Sequence, residues 1–168
     1  RIAFSLARNL GQAATYKTLL ADISGGDGPL TTTATVASYL ELLKNMYVVE
    51  EVPGWVPARR SPKRLSVKPK RYLADPSLAV ALLGMNEEAL LDDWQTFGLV
   101  FENMCVRDLM VYAQALPDAP AVPVRYYRDD AGLEADAIVE LPDGRWAAFE
   151  FKLGIAKADA GVATLKRV

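Results

Sequence analysis

The apolar residues of this chain change their spacing near Pro117, and that change constrains the fold more than any other feature. Before it they recur every three or four positions: Tyr16, Leu19, Leu20 and Ile23, then Val36, Tyr39, Leu40 and Leu43, then Phe97, Val100, Phe101, Met104, Cys105, Leu109 and Tyr112. Such spacing lays one side of a helix against a core. After it, residues 124–128, 134–141 and 145–153 read as strands, joined by the turn-forming runs Asp129-Asp130-Ala131-Gly132 and Pro142-Asp143-Gly144. Helices first and a meander last predict an α+β protein.

Helices are expected over 3–10, 15–23 and 33–45, the last with threonines before it to cap its N-terminus. Ser24 to Pro29 reads as a loop. Met46 to Val52 is β-branched and followed by the turn signal Pro53-Gly54, and Arg71 to Ala74 reads as the next strand. Three helices and a hairpin are the order of a winged helix-turn-helix. A short helix over 78–83 closed by Gly84, an acidic helix over 87–94, a long helix over 96–116 and a fresh helix from Lys157 complete the expectation. The boundary is placed near residue 75, giving domains 1–74 and 75–168.

Charge divides in the same sense. Residues 1–72 carry 11 Lys+Arg against 5 Asp+Glu, and residues 73–168 carry 8 against 16, so the parts are +6 and −8. Arg59, Arg60, Lys63, Arg64, Lys68, Lys70 and Arg71 fall within 13 residues that contain no acid. Two readings stand side by side: a solvated face, or a basic wing along phosphates. On the third helix, Thr35, Ser38 and Lys44 would face outward, where contacts to nucleic acid could form, or the helix packs against a protein partner.

The chain has no histidine and a single cysteine, Cys105. An internal disulfide, an ordinary zinc site and a nucleophile–histidine pair are thereby excluded. Chemistry must rest on carboxylates, lysine, tyrosine or serine, with Mg2+ or Mn2+ as the metal suited to carboxylate oxygen. No apolar run is long enough to span a membrane and no signal-peptide pattern opens the chain, so no membrane partner and a cytoplasmic location are expected.

Alternation along strands puts Glu134 and Asp136 on one face, and Glu150 and Lys152 on one face. Phosphodiester hydrolysis needs hard carboxylates for the metal and a group that orients water and offsets developing charge. Asp136 and Glu150 would be the metal ligands and Lys152 the water-orienting group. Glu134 is either a further ligand or the salt-bridge partner of Arg128 across the hairpin, and Arg128 could touch phosphate instead. Tyr126, Tyr127, Trp55 and Trp146 are expected to pack in the core.

Asp136 with Glu150-Phe151-Lys152 resembles the PD-(D/E)XK nuclease signature, and Glu102 resembles the helical acid that often joins that site. Phe101-Glu102-Asn103, Tyr127-Arg128-Asp129, Glu134-Ala135-Asp136, Phe149-Glu150-Phe151-Lys152 and Lys70-Arg71-Tyr72-Leu73-Ala74-Asp75 together resemble the C-terminal domain of unknown function carried by a group of prokaryotic AAA+-type ATPases. The resemblance implies a winged helix followed by a restriction-endonuclease-like αβ domain, truncated here, and an upstream P-loop ATPase domain in cis that alone would bind ATP. No Walker motif occurs in these residues. The expected function is thus the DNA-associated, nuclease-like part of such an ATPase, or an inactive DNA- or protein-binding module of it.

Overall fold

The computed structural model describes residues 1–25 and 30–168; residues 26–29 of the anticipated loop lie outside the described part. In chain order the first elements are α1 (Ile2–Arg8), α2 (Tyr16–Ser24), α3 (Thr33–Asn45), β1 (Val49–Val52), α4 (Lys63–Ser66), β2 (Lys70–Leu73) and α5 (Pro76–Leu82). There follow α6 (Glu87–Asp92), α7 (Trp94–Gln114), β3 (Arg125–Arg128), β4 (Glu134–Glu140), β5 (Trp146–Phe149), a 3-10 turn (Ile155–Lys157) and α8 (Ala158–Leu165). The mixture of helix and strand is that of an α+β protein. No helix among the described residues is long and apolar enough to cross a membrane.

Two compact units divide the chain, each built from two segments: residues 1–51 with 70–103, and residues 52–69 with 104–168. The boundary expected near residue 75 falls within the first of these units. Most of the basic segment belongs to the second unit, and the helices from Pro76 onward stay with the first as far as Asn103.

In the first unit, side-chain caps start the helices where the sequence supplies short polar residues. Thr15 accepts from the Thr18 amide at 3.0 Å, Thr32 from Thr35 at 3.2 Å, and Asp75, just before Pro76, from Ser77 at 2.8 Å. Each cap satisfies a helix donor that has no partner within the helix. The apolar stripes then converge on a core of Leu6, Leu10, Leu19, Val36, Leu40 and Leu73. Strands β1 and β2 pair, and Gln12 bridges to Arg71 to extend that small sheet.

The tight turn expected at Pro53-Gly54 does not form. Gly54 instead pairs with Tyr126, and the Trp55 amide donates to the Tyr126 carbonyl at 2.6 Å. A Cβ at Gly54 would meet the Val67 side chain at 2.1 Å, so only glycine allows this close passage.

The second unit holds an antiparallel sheet in the order β3-β4-β5. Arg128 stands opposite Glu134 and Tyr127 opposite Ala135, whereas Arg125 stands opposite Ile138, so β3 against β4 contains an irregularity. That shift accounts for Ala135 and Ile138, three apart, both packing with Trp55. Strand β5 ends at Phe149, short of the anticipated residue 153.

Candidate functional site

Extending the Ala137–Phe149 register by one step would set Asp136 opposite Glu150, but the ladder has already ended. Asp136, only 7% exposed, accepts a hydrogen bond from the Phe151 amide at 2.8 Å. Its side chain takes a donor that a continuing ladder would have used, which is why Glu150-Phe151-Lys152 lies beyond the strand rather than in it. Lys152 donates through Nζ to Oε1 of Glu150. The other oxygen of Glu150, Oε2, is buried and has no hydrogen-bond partner. Leaving an ionised oxygen buried without a donor is costly, so this atom would gain from a cation or a further donor. A cavity of about 410 Å³ adjoins it, lined by Glu150, Lys152, Ile155, Val162 and Leu165, with Gly161 of α8 against the Glu150 stem.

Asp136 and Glu150 are the donor type that Mg2+ or Mn2+ takes, and Mg2+ is commonly held by one or two carboxylates together with water and phosphate oxygen. Among the described residues, however, no group of three or more acidic or other metal-ligating side chains is placed to hold an ion. Glu134 forms the cross-hairpin pair with Arg128, at 3.7 Å.

Glu102 belongs to the first unit, where its Oε1 accepts from the Tyr72 hydroxyl at 2.6 Å and from Lys70 Nζ at 3.2 Å. Its neighbour Asn103, fully buried, donates to the Leu73 carbonyl at 2.8 Å and accepts from the Leu73 amide at 3.1 Å. The amide side chain thus mimics a neighbouring strand. The two sequence stretches around Lys70 and Phe101 are joined by these bonds, which gives Glu102 a positioning role in the fold.

The basic run is largely engaged within the protein. Arg59 donates to Glu140 Oε1 at 3.0 Å and to the Leu141 and Pro142 carbonyls; Arg64 donates to Glu140 Oε2 at 3.0 Å and to the Val56 carbonyl. Trp55 adds its indole N–H to Glu140 at 3.1 Å. Burial raises the Glu140 pKa, but the hydrogen bonds from Arg59, Arg64 and Trp55 outweigh it and hold the carboxyl below its usual range. Lys70 serves Glu102, and Arg71 serves Glu51, the Ala14 carbonyl and the face of Tyr16. Lys63 lies 3.7 Å from Asp130. Arg60 and Lys68 remain exposed. Five of the seven cations thus have partners within the protein.

On α3, the Thr35 hydroxyl meets Thr32, Ser38 donates back to the Ala34 carbonyl, and Lys44 bridges Glu41 and Glu51, both at 2.9 Å. Hydrogen bonds that Lys44 donates to Glu41 and then to Glu51 raise its pKa. Ser38, Glu41 and Asn45 are exposed on this helix, and so are Tyr39, Leu42 and Met46, each more than half. Tyr126 and Trp55 are buried as expected, with Tyr127 edge-on to Trp55 at 6.0 Å.

Residues 1–89 match the family model described as Domain of unknown function (DUF8612). The chain belongs to that family. Residues 97–168 match Domain of unknown function (DUF4143), a domain found in AAA-ATPase-associated proteins. No curated protein and no solved structure matches the chain. The DUF8612 match contains β1, β2 and α3; the DUF4143 match contains Glu102, Asp136, Glu150 and Lys152.

Sequence reasoning passed over Glu140, and it quoted Asn103 in a motif without giving it a role. Glu140 had a visible signal, as the acid ending the apolar run Ala137-Ile138-Val139. Asn103, a polar residue within the apolar stretch of α7, had a similar one.

Proposed function

We propose that this chain is a catalytically inactive, protein-binding regulatory module of an AAA+-type ATPase. The observation that carries this reading is the engagement of the expected catalytic groups with their own protein: Asp136 with the Phe151 amide, Lys152 with Glu150, and Glu102 with Tyr72 and Lys70. A group that must deprotonate water or bind metal needs its lone pairs or protons available. The finer fold reading belongs to the same proposal. Helices α1 to α3, the β1–β2 pair and the Gln12–Arg71 bridge support a winged helix, and the β3-β4-β5 meander with Asp136 and Glu150 at one end supports a PD-(D/E)XK-like part.

The test uses the parent protein with varied DNA, Mg2+ or Mn2+, and ATP. The expected result is no cleavage that distinguishes wild type from Asp136→Ala or Lys152→Ala. Metal-dependent cutting that both substitutions abolish would overturn the reading.

One observation favours a second reading, Mg2+-dependent phosphodiester hydrolysis: the buried, unpartnered Oε2 of Glu150. On that reading Asp136 and Glu150 hold the ion and Lys152 orients water. Calorimetric titration with Mn2+, using Asp136→Asn as control, separates the two: stoichiometric binding lost in the variant supports the metal site.

A further inference from the structure

We propose that the cavity between α8 and the segment Glu150-Phe151-Lys152 binds a neutral, largely apolar molecule with one N–H or O–H donor, of the indole or phenol class, the donor resting on Oε2 of Glu150. This site goes beyond the binding-module reading. It competes with the metal reading, because one oxygen cannot serve both.

The walls are apolar and leave room. Ala158, Gly161, Val162 and Leu165 recur along α8 at i, i+3, i+4 and i+7, the stripe with which an amphipathic helix ordinarily fills a core. The first three are small, and a space of about 410 Å³ stays open between this stripe and Glu150 and Lys152. Ile155, 91% exposed, and Val162, 49% exposed, line the same space. A molecule seated there removes their apolar surface from water, which favours an apolar body.

One polar demand stands among these walls. The Glu150 side chain is nine-tenths withdrawn from water, and its Oε2 has no hydrogen-bond donor. The terminal torsion of a glutamate is broad and two-fold, so the carboxyl can turn either oxygen toward the cavity. A donor brought by a ligand recovers the cost of the unmade bond. A ligand of matching shape without a donor leaves that cost in place.

Charge decides between a cation and a neutral donor. Lys152 sets its ammonium against Oε1 of Glu150, so the pair that lines the cavity carries no net charge. Asp136 accepts from the Phe151 amide and does not line the cavity. An entering cation would give up its hydration among apolar walls and meet the Lys152 ammonium, whereas a neutral N–H or O–H meets neither penalty. The same sheet already contains such a solution at Glu140. There the indole N–H of Trp55 donates to Oε2 at 3.1 Å while the Trp55 side chain packs with Ala135 and Ile138. A flat aromatic body with a donor at its edge fits Glu150 in the same way.

The experiment titrates the isotope-labelled full chain, followed by amide resonances, with indole, with benzothiophene as the two-ring shape lacking a donor, with benzylammonium and with Mg2+. Indole is expected to shift amides over residues 150–165 and to bind about ten-fold more tightly than benzothiophene, the difference one hydrogen bond makes. Glu150→Leu should remove that preference, and Val162→Phe, which fills the cavity and keeps the carboxyl, should abolish binding of both while the remaining resonances stay in place. Equal binding of indole and benzothiophene, or an undiminished preference in Glu150→Leu, overturns the proposal. Indole binding unaffected by Val162→Phe, or shifts elsewhere in the chain, overturns the location. Tighter binding of benzylammonium than of indole, or Mg2+ shifting these amides where indole does not, makes the occupant a cation and overturns the proposal in favour of charge.

Discussion

Glu140 and Glu150 stand near opposite ends of the same strand pair, and their side chains are almost equally withdrawn from water, at 12% and 10% exposure. Their hydrogen bonding differs sharply. Glu140 receives Arg59 on one oxygen and both Arg64 and Trp55 on the other. Glu150 receives Lys152 on one oxygen and nothing on the other. A fully satisfied buried carboxylate acts as a structural tie, whereas a half-satisfied one has a free energy to recover by taking up a proton, an ion or a ligand. Proximity of acids in a sheet therefore says little about function until each oxygen is accounted for.

The largest effect should come from breaking the satisfied end. Glu140→Ala leaves Arg64, 13% exposed, without its counter-charge and frees the basic segment from the sheet, so a loss of about 3–5 kcal/mol in urea unfolding is expected. A loss under about 1 kcal/mol would show that Glu140 does not tie the segment down. The same carboxyl gives a pH signature. Its folded pKa lies below its unfolded value, so its contribution is present above the unfolded carboxylate range and is lost as pH falls through the folded value. Glu140→Gln should flatten the acid limb of the stability profile, and an unchanged limb would assign acid sensitivity elsewhere.

Next in size is Asn103, the clamp of the first unit. Asn103→Ala removes both bonds to Leu73 and strands a buried amide and a buried carbonyl, for an expected cost of about 2–4 kcal/mol. Hydrogen exchange at Leu73 should accelerate with it. Tyr72→Phe deletes one bond to a charged group beside that clamp and should cost less, about 1–2 kcal/mol by the same unfolding measurement.

What could be read from the sequence follows from the range of the forces involved. The cap and end of α3 were legible because they are local, although Tyr39, read with its core-facing stripe, is 53% exposed; the meander was legible because Asp129-Asp130-Ala131-Gly132 and Pro142-Asp143-Gly144 announce their turns. Asp136 near Glu150-Phe151-Lys152 followed from strand alternation. The internal partners of the basic segment were not legible because they are remote: Arg59 and Arg64 reach Glu140 across 81 and 76 positions, and no local pattern announces those bonds. The bonds of Glu102 to Lys70 and Tyr72 were not legible for the same reason, since they bring together stretches some 30 residues apart. Strand alternation also could not foresee that Asp136 would end β5 by taking the Phe151 amide.

The smallest stability change is expected at the unsatisfied end, and its smallness is the informative part. Glu150→Gln keeps an acceptor for Lys152 and replaces a buried charge by a neutral amide. The half-exposed lysine loses an ion pair of little net worth, while the burial penalty on the charge disappears. Folding stability should therefore change by no more than about 1 kcal/mol, in contrast to the loss at Glu140. If Glu150→Gln instead costs as much as Glu140→Ala, Oε2 has a partner in solution and the contrast between the two carboxylates fails. If stability is unchanged and stoichiometric Mn2+ binding by wild type disappears in the variant, the lone oxygen is a metal ligand and the second functional reading gains over the first.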